Sequence, residues 1–329
     1  MNRKIILASR PQGFPTRDNF QIVSAEIPQP GQGQFVARNS HLGLAPAARL
    51  RMSDQDSYAP PLALGDVVYG QTVGEIVASR HPDFRSGEKV SILNGGWQEY
   101  SLSDGAGVSR IDSQIAADTV WLGALGVSGM TAWIGVLEIG KIKAGETVVV
   151  SAASGAVGSV AGQIAKLHGC RVVGIAGGAS KGAHVVNDLG FDACVDYRGA
   201  DFGAALKTAC PAGIDVYFDN VGGEVRDAVW PLLNQNGRVV VCGMISEYNE
   251  SPRPGPAWFP ILTKRLTLRG FLMSDFANRR GDFVADMSAW YRDGRVKIRE
   301  DIVEGLENTP SAFIGMLRGT NFGKTIVKL

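Results

Sequence analysis

Ala152, Gly155 and Gly158 in "AASGAVG" (152–158) stand in an AxxGxxG spacing between an apolar run and an amphipathic segment. Glycines spaced this way let the backbone approach a pyrophosphate and let a helix pack closely on the preceding strand. Amides in the first turn of that helix then face the phosphate oxygens, where the helix dipole favours negative charge. Gly155, Ala156, Val157 and Gly158 are therefore candidate dinucleotide contacts. Alone, the spacing also fits an ordinary strand-to-helix turn. A strand before it, a helix after it and a second strand at "RVVGIA" (171–176) favour the dinucleotide. An NAD site places an Asp or Glu roughly 20 residues downstream, on the ribose hydroxyls. Here that place reads Ala176-Gly177-Gly178. An acid would repel a 2′-phosphate, whereas Lys181 brings a charge of the attracting sign, so NADPH is the expected cofactor.

No metal chemistry is expected. His41, His81, His168 and His184 match no ligand spacing, and Cys170, Cys194, Cys210 and Cys242 form no CxxC pair. The cysteines read as buried thiols of a reducing, cytoplasmic compartment. "MNRKIILASRPQGFP" has too short an apolar run for a signal-peptide core.

Two kinds of element must position the glycine turn. Over the first ~115 residues, short apolar or alternating runs such as "KIILAS", "GQFVARNSHLGL" and "EKVSILNGGWQEYSLS" are divided by Gly, Pro, Asn and Asp. That pattern fits a small barrel or sandwich. From about residue 147, continuous apolar runs ("TVVVSAA", "CRVVGIA", "ACVDY", "IDVYFDN", "GRVVVCGM", "LTLRGFL") alternate with helical segments at 156–168, 180–189 and 223–233. Such runs suit strands buried on both faces of a parallel sheet with right-handed crossovers. A further helix is expected at 280–293. The stretch 120–137 is free of charge, but its glycines, Ser128 and Thr131 suit a buried, close-packed helix better than a membrane span.

The expected fold is α/β, with a β-rich domain over 1–118, rejoined by about 296–329, and a doubly wound dinucleotide domain over 119–295. With 45% hydrophobic and 20% charged residues the chain can bury a large core. Its 33 basic and 32 acidic residues give a net charge of +1, which offers no argument for nucleic acid or an anionic membrane as partner. A small molecule is the expected partner.

"AASGAVGSVAGQIAKLHGCRVVGIAGG", "YFDNVGGE", "CGMISEYN" and "NFGKTIVKL" together resemble the zinc-independent medium-chain reductases. Within them the chain is most similar to the branch of prostaglandin and leukotriene reductases, plant double-bond reductases and bacterial curcumin reductases. The resemblance spans essentially the whole chain. It implies a GroES-like N-terminal domain, a Rossmann domain, a homodimer, and NADPH-dependent reduction of the C=C bond of α,β-unsaturated ketones or aldehydes.

Matched by motif, the pyrophosphate contacts fall on 155–158, and Lys181 and Tyr197 fall on the 2′-phosphate contacts. Asn220 and the run Cys242, Gly243, Met244, Ile245, Ser246 surround the adenosine and nicotinamide. Phe271, Leu272 and Asn321 match further cofactor contacts, with core packing an equal reading for Phe271. Zinc-using cousins carry His-Glu in a "GHE" turn where this chain has "YGQTVGE" (69–75), and no cysteine precedes Cys170. The family's "LSxDPYMRGRM" is here "LGLAPAARLRM" (42–52), so its Asp and Tyr become Ala45 and Ala47, while Arg49 is kept. These three residues and Tyr248 are the implied substrate pocket.

Hydride addition to the β-carbon of an enone builds negative charge on the carbonyl oxygen. The phenol of Tyr248 in "ISEYN" is a neutral donor suited to holding it, with a pocket-lining Tyr248 and proton delivery by water as the alternative. The loop 246–260, rich in proline and aromatics, suits a pocket lid or a stiff surface loop. A quinone oxidoreductase and a catalytically silent NADPH-binding protein are the competing functions.

Overall fold

The computed structural model describes residues 1–55, 57–249 and 254–329, in two units: Met1–Gly123 with Glu300–Leu329, and Ala124–Arg299. The chain enters the first unit through β1 (Asn2–Leu7), β2 (Phe20–Ala25), β3 (Phe35–Gly43), helix α1 (Ala47–Arg51), β4 (Gln71–Ser79), β5 (Lys89–Ile92), β6 (Tyr100–Ser103) and β7 (Val108–Arg110). The second unit runs through α2 (Val127–Trp133), β8 (Thr147–Ser151), α3 (Gly158–Leu167), β9 (Arg171–Ala176), α4 (Ala179–Ala183), β10 (Ala193–Asp196), α5 (Phe202–Ala209) and β11 (Ile214–Asp219). It continues with α6 (Gly223–Val229), β12 (Leu233–Val241), α7 (Phe259–Lys264), β13 (Thr267–Gly270) and α8 (Arg280–Arg292). The chain then returns to the first unit as β14 (Glu300–Glu304), α9 (Thr309–Leu317) and β15 (Lys324–Lys328).

In the first unit a mixed sheet has the order β14-β15-β3-β4-β5-β7, with β6 also on β3 and a separate β1–β2 pair. Among the described strands of this unit only β14 and β15 pair in parallel. One core gathers Phe35, Ala37, Ile76, Val90 and Ile92. In another, the Trp97 ring lies 5.3 Å from both Phe20 and Phe313, stacked on the first and edge-on to the second.

The second unit is a six-stranded parallel sheet in the order β10-β9-β8-β11-β12-β13. The order reverses between β8 and β11, the place where doubly wound sheets hold ligands at the carboxyl ends of their strands. Val148, Val149 and Val150 of the central β8 are fully buried. Helix α3 buries Val160, Ala161, Ile164 and Ala165. It closes on the Phe191 ring because Gly162 has no side chain: a Cβ there would stand 1.8 Å from Phe191 Cζ.

Two expectations are corrected. The run "LTLRGFL" is not buried on both faces, since every residue of β13 is exposed at the sheet edge. The apolar stretch 120–137 is not one helix. Asp118–Leu122 is a 3₁₀ turn ended at Gly123, and the helix starts only at Val127, continuing as a wider turn to Ile139. The two units divide along the chain at 123/124 and 299/300. Trp121 stays with the first unit because its carbonyl accepts from Gln71 Nε2. Lys297 stays with the second because its amide and carbonyl both bond the Gln163 side chain on α3.

Candidate active site

Beyond β8 the chain turns sharply. Ala152 adopts φ +49°, a left-handed conformation unusual for a residue with a side chain, and its carbonyl accepts the Gly155 amide at 2.9 Å. A Cβ on Gly158 would lie 2.3 Å from that same carbonyl, and one on Gly155 would lie 3.1 Å from it. The glycines are thus required by close backbone approach, and they leave a shallow cradle where α3 begins. A pyrophosphate fits such a cradle, because it needs amides and no intervening side chain. Gly155, Ala156, Val157 and Gly158 all belong to it.

At the neighbouring carboxyl ends of β9 and β10, Gly177 and Gly178 make the turn into α4. Asp196, an acid at this edge, is carried by β10 and not by β9. Its carboxylate is held by backbone amides, accepting Gly178 N at 3.0 Å and Arg198 N at 2.9 Å. Lys181 sits half-buried on α4, one turn beyond Gly178, and Tyr197 is exposed directly after β10. The Arg198 guanidinium lies 5.5 Å from the Tyr197 ring centroid.

The third part joins β11 to β12. Asp219 is buried at the end of β11, and burial raises its pKa against the opposing pull of its donors. One oxygen, Oδ1, accepts from Tyr217 Oη, Val221 N and Gly222 N, each at 2.9 Å, and from Ser151 Oγ at 3.4 Å. Its main-chain carbonyl accepts Cys242 N and Gly243 N. Asn220 crosses to β8: its Nδ2 donates to Ser151 O at 2.7 Å and its amide to Ser151 Oγ at 2.8 Å. The segment 242–248 is then stitched to this turn by Ile245 N on Asn220 O, by Ser246 on Val221 O, and by Glu247 Oε1 accepting Gly223 N. Tyr248 folds back over it, its hydroxyl accepting Met244 N at 3.4 Å and lying 3.2 Å from where a Gly243 Cβ would stand. The rest of the expected lid includes 250–253, which lie outside the described residues.

Two candidates follow β13 at the same edge of the sheet. Phe271 touches the space beside Gly135, where its Cζ would lie 3.0 Å from a Cβ, while Leu272 is exposed. In the first unit, Asn321 donates to Gly323 O at 3.1 Å within its own turn. Ala45 and Ala47 are half-buried at the entry to α1. Arg49 is 6% exposed and donates to Gly13 O at 3.0 Å, a strut beneath the helix, and burial lowers its pKa. Lys324 on β15 is buried too, donating to Leu44 O at 2.9 Å, and burial alone pushes its ammonium down to about 8.

Sequence reasoning missed Asp219, Arg198 and Lys324. A signal existed for two of them: Asp219 directly precedes Asn220 in "FDN", and Arg198 follows Tyr197 in "VDYR". Burial pushes the thiols of Cys170, Cys194 and Cys210 up to about 11 and that of Cys242 to about 12, so all four stay protonated at neutral pH. Among the described residues, no three or more His, Cys, Asp or Glu side chains group in a way that could hold a metal ion.

A doubly wound unit with this glycine cradle and a mixed-sheet unit in one chain define a two-domain dinucleotide-dependent oxidoreductase. Residues 3–111 match the family described as the N-terminal domain of oxidoreductase, and residues 156–290 the one described as zinc-binding dehydrogenase. The chain is 46% identical to the NADPH-dependent curcumin reductase of Escherichia coli K12, covering 100% of this chain and 97% of that protein. It is 40% identical to mouse prostaglandin reductase 1, covering 96% of each. The crystal structure of CurA in complex with NADPH from Vibrio vulnificus superposes with a TM-score of 0.95 at 47% identity, covering 99% of this chain and 98% of that one. The chain belongs to the zinc-independent branch of the medium-chain dehydrogenase/reductase family.

Proposed function

We propose that this protein reduces the C=C bond of α,β-unsaturated ketones or aldehydes with NADPH. The observation that carries the reading is the Tyr248 phenol folded over the Gly243–Met244 turn, on the same sheet edge as the glycine cradle, in a chain that aligns end to end with NADPH-dependent reductases. Bound NADPH supplies the hydride that reaches the β-carbon. The residues 155–158 receive its pyrophosphate, and Lys181 and Tyr197 its 2′-phosphate. Asn220 and 242–246 bracket ribose and nicotinamide, with Phe271, Leu272 and Asn321 as outer contacts. Tyr248 donates a hydrogen bond to the substrate oxygen as it becomes anionic, and a proton reaches the α-carbon to finish the reaction. Ala45, Ala47 and Arg49 belong to the substrate side.

A homodimer is part of the proposal. It is supported by the exposed β13 edge beside α7, where Trp258 and Phe259 are 81% and 72% exposed and Leu262 and Leu268 are exposed as well. A cytoplasmic location is supported by four free, protonated cysteines. No helix among the described residues is long and apolar enough to cross a membrane.

A panel of aryl enones, small alkenals and quinones, assayed by NADPH consumption, tests the reading. Turnover of enones is expected, with Tyr248→Phe lowering kcat by ~10²-fold or more while NADPH affinity is kept. Preference for quinones, or NADPH binding without turnover of any enone, would replace it with one of the competing functions. A loss below roughly threefold in Tyr248→Phe, against the usual general-acid range, would assign the proton and oxyanion roles elsewhere.

A further inference from the structure

We propose that Arg198 is a second cation on the 2′-phosphate, seated on Gly177, and that it selects NADPH over NADH together with Lys181. The inference rests on the NADPH reading above and adds a residue and its support to it. Two observations carry it independently of Lys181. A Cβ on Gly177 would lie 2.8 Å from Arg198 Nε, 3.1 Å from Arg198 Cζ and 2.8 Å from Tyr197 Cε1. Both side chains therefore lie directly on the Gly177 backbone, at the point where an NAD site would place its ribose-binding acid. Arg198 is also held in this pose from two sides. Its guanidinium bonds and overlies Tyr197, which with nearby Asp196 keeps it firmly charged, and its amide is fixed by Asp196 Oδ1.

Asp196 is the acid at this edge, and it does not recreate an NAD site. Both its oxygens accept amides of the two turns, Gly178 N and Arg198 N, so the carboxylate is pinned to the loop backbone next to the Arg198 guanidinium. The absence of an acid after β9 is thus only part of the selection. Glycine at 177 makes room for a guanidinium, whose planar fork matches a phosphate better than an ammonium does.

Titrations of the whole protein with NADPH, NADH, adenosine 2′,5′-bisphosphate and ADP would test this. Arg198→Ala is expected to weaken NADPH and the 2′,5′-bisphosphate by the same factor, about tenfold for one exposed charge-assisted contact, and to spare NADH and ADP. Arg198→Lys should recover part of the loss. Gly177→Ala leaves every charge in place but displaces the Arg198–Tyr197 pair, so it should reproduce the selective loss with an unchanged melting temperature. The proposal is overturned if Arg198→Ala leaves the ratio of NADPH to NADH affinity unchanged, whether both weaken together or neither does. Should the unaltered protein bind NADH as tightly as NADPH, the cofactor reading itself fails; a preserved preference with an indifferent Arg198 removes this inference alone.

Discussion

Asp219 in the parallel-sheet unit and Lys324 in the mixed-sheet unit are both buried ionisable groups, and they are treated in opposite ways. Asp219 lies at the carboxyl end of a strand, where the following turn points its amides back at the sheet, and four donors converge on its Oδ1. Lys324 lies within β15 and meets a carbonyl, that of Leu44, with no acid contributing to its charge balance. Arg49 is buried as well, with the Gly13 carbonyl among its contacts, and desolvation is again what moves its pKa. The first arrangement uses a charge to organise a site: the Asp219 network fixes Asn220, Gly222 and the 242–248 segment in one piece. The second tolerates a charge at a cost, because a single carbonyl does not replace the water lost on burial.

The largest effect should come from emptying the organised end. Asp219→Ala leaves Tyr217 Oη and two amides without their acceptor, and we expect a loss of about 3 kcal/mol of stability with weakened NADPH binding. Asp219→Asn keeps an oxygen at Oδ1 and should cost clearly less in the same thermal melts. Equal losses for the two would mean that charge, not the acceptor geometry, holds the turn.

A smaller effect is expected on the substrate side of the first unit. Ala47→Tyr restores the ring that the family places there, and overfilling costs ~1–3 kcal/mol. It should lower kcat/KM for bulky aryl enones by roughly tenfold while sparing small alkenals. An unchanged ratio in a folded, NADPH-binding variant would remove Ala47 from the pocket.

The smallest effect tests the tolerated charge. The folded pKa of Lys324 is about 8, below the ordinary 10.5, so the folded state gives up its proton before the unfolded state does. The penalty is full below pH 8 and fades as pH rises towards 10.5, so stability should climb across that window. Lys324→Met should be more stable than the parent by ~1–2 kcal/mol at pH 7 and should lack the climb. A variant less stable at pH 7, with the slope retained, would show that the ammonium is better satisfied than the Leu44 contact implies.

Much of this architecture is legible in the chain itself. The glycine turn, the alternation of apolar runs with helical segments, and the cofactor preference follow from residue type and spacing, because pleated strands, helix starts and close backbone approaches each demand particular residues locally. The four motifs shared with the zinc-independent reductases add the family and the reaction. What spacing could not supply depends on partners far apart in sequence. "LTLRGFL" has the composition of a buried strand, and only its place at the sheet edge leaves it exposed. Arg198 looks like any loop arginine until Gly177, 21 positions earlier, is seen beneath it. Lys324 starts a short strand whose other end, Lys328, is exposed, and only in space is it buried, while Asp219 gains its meaning from Ser151 across the switch point. Local propensity is encoded residue by residue, whereas solvent exposure, charge balance and the company a side chain keeps are set only when the strands are assembled.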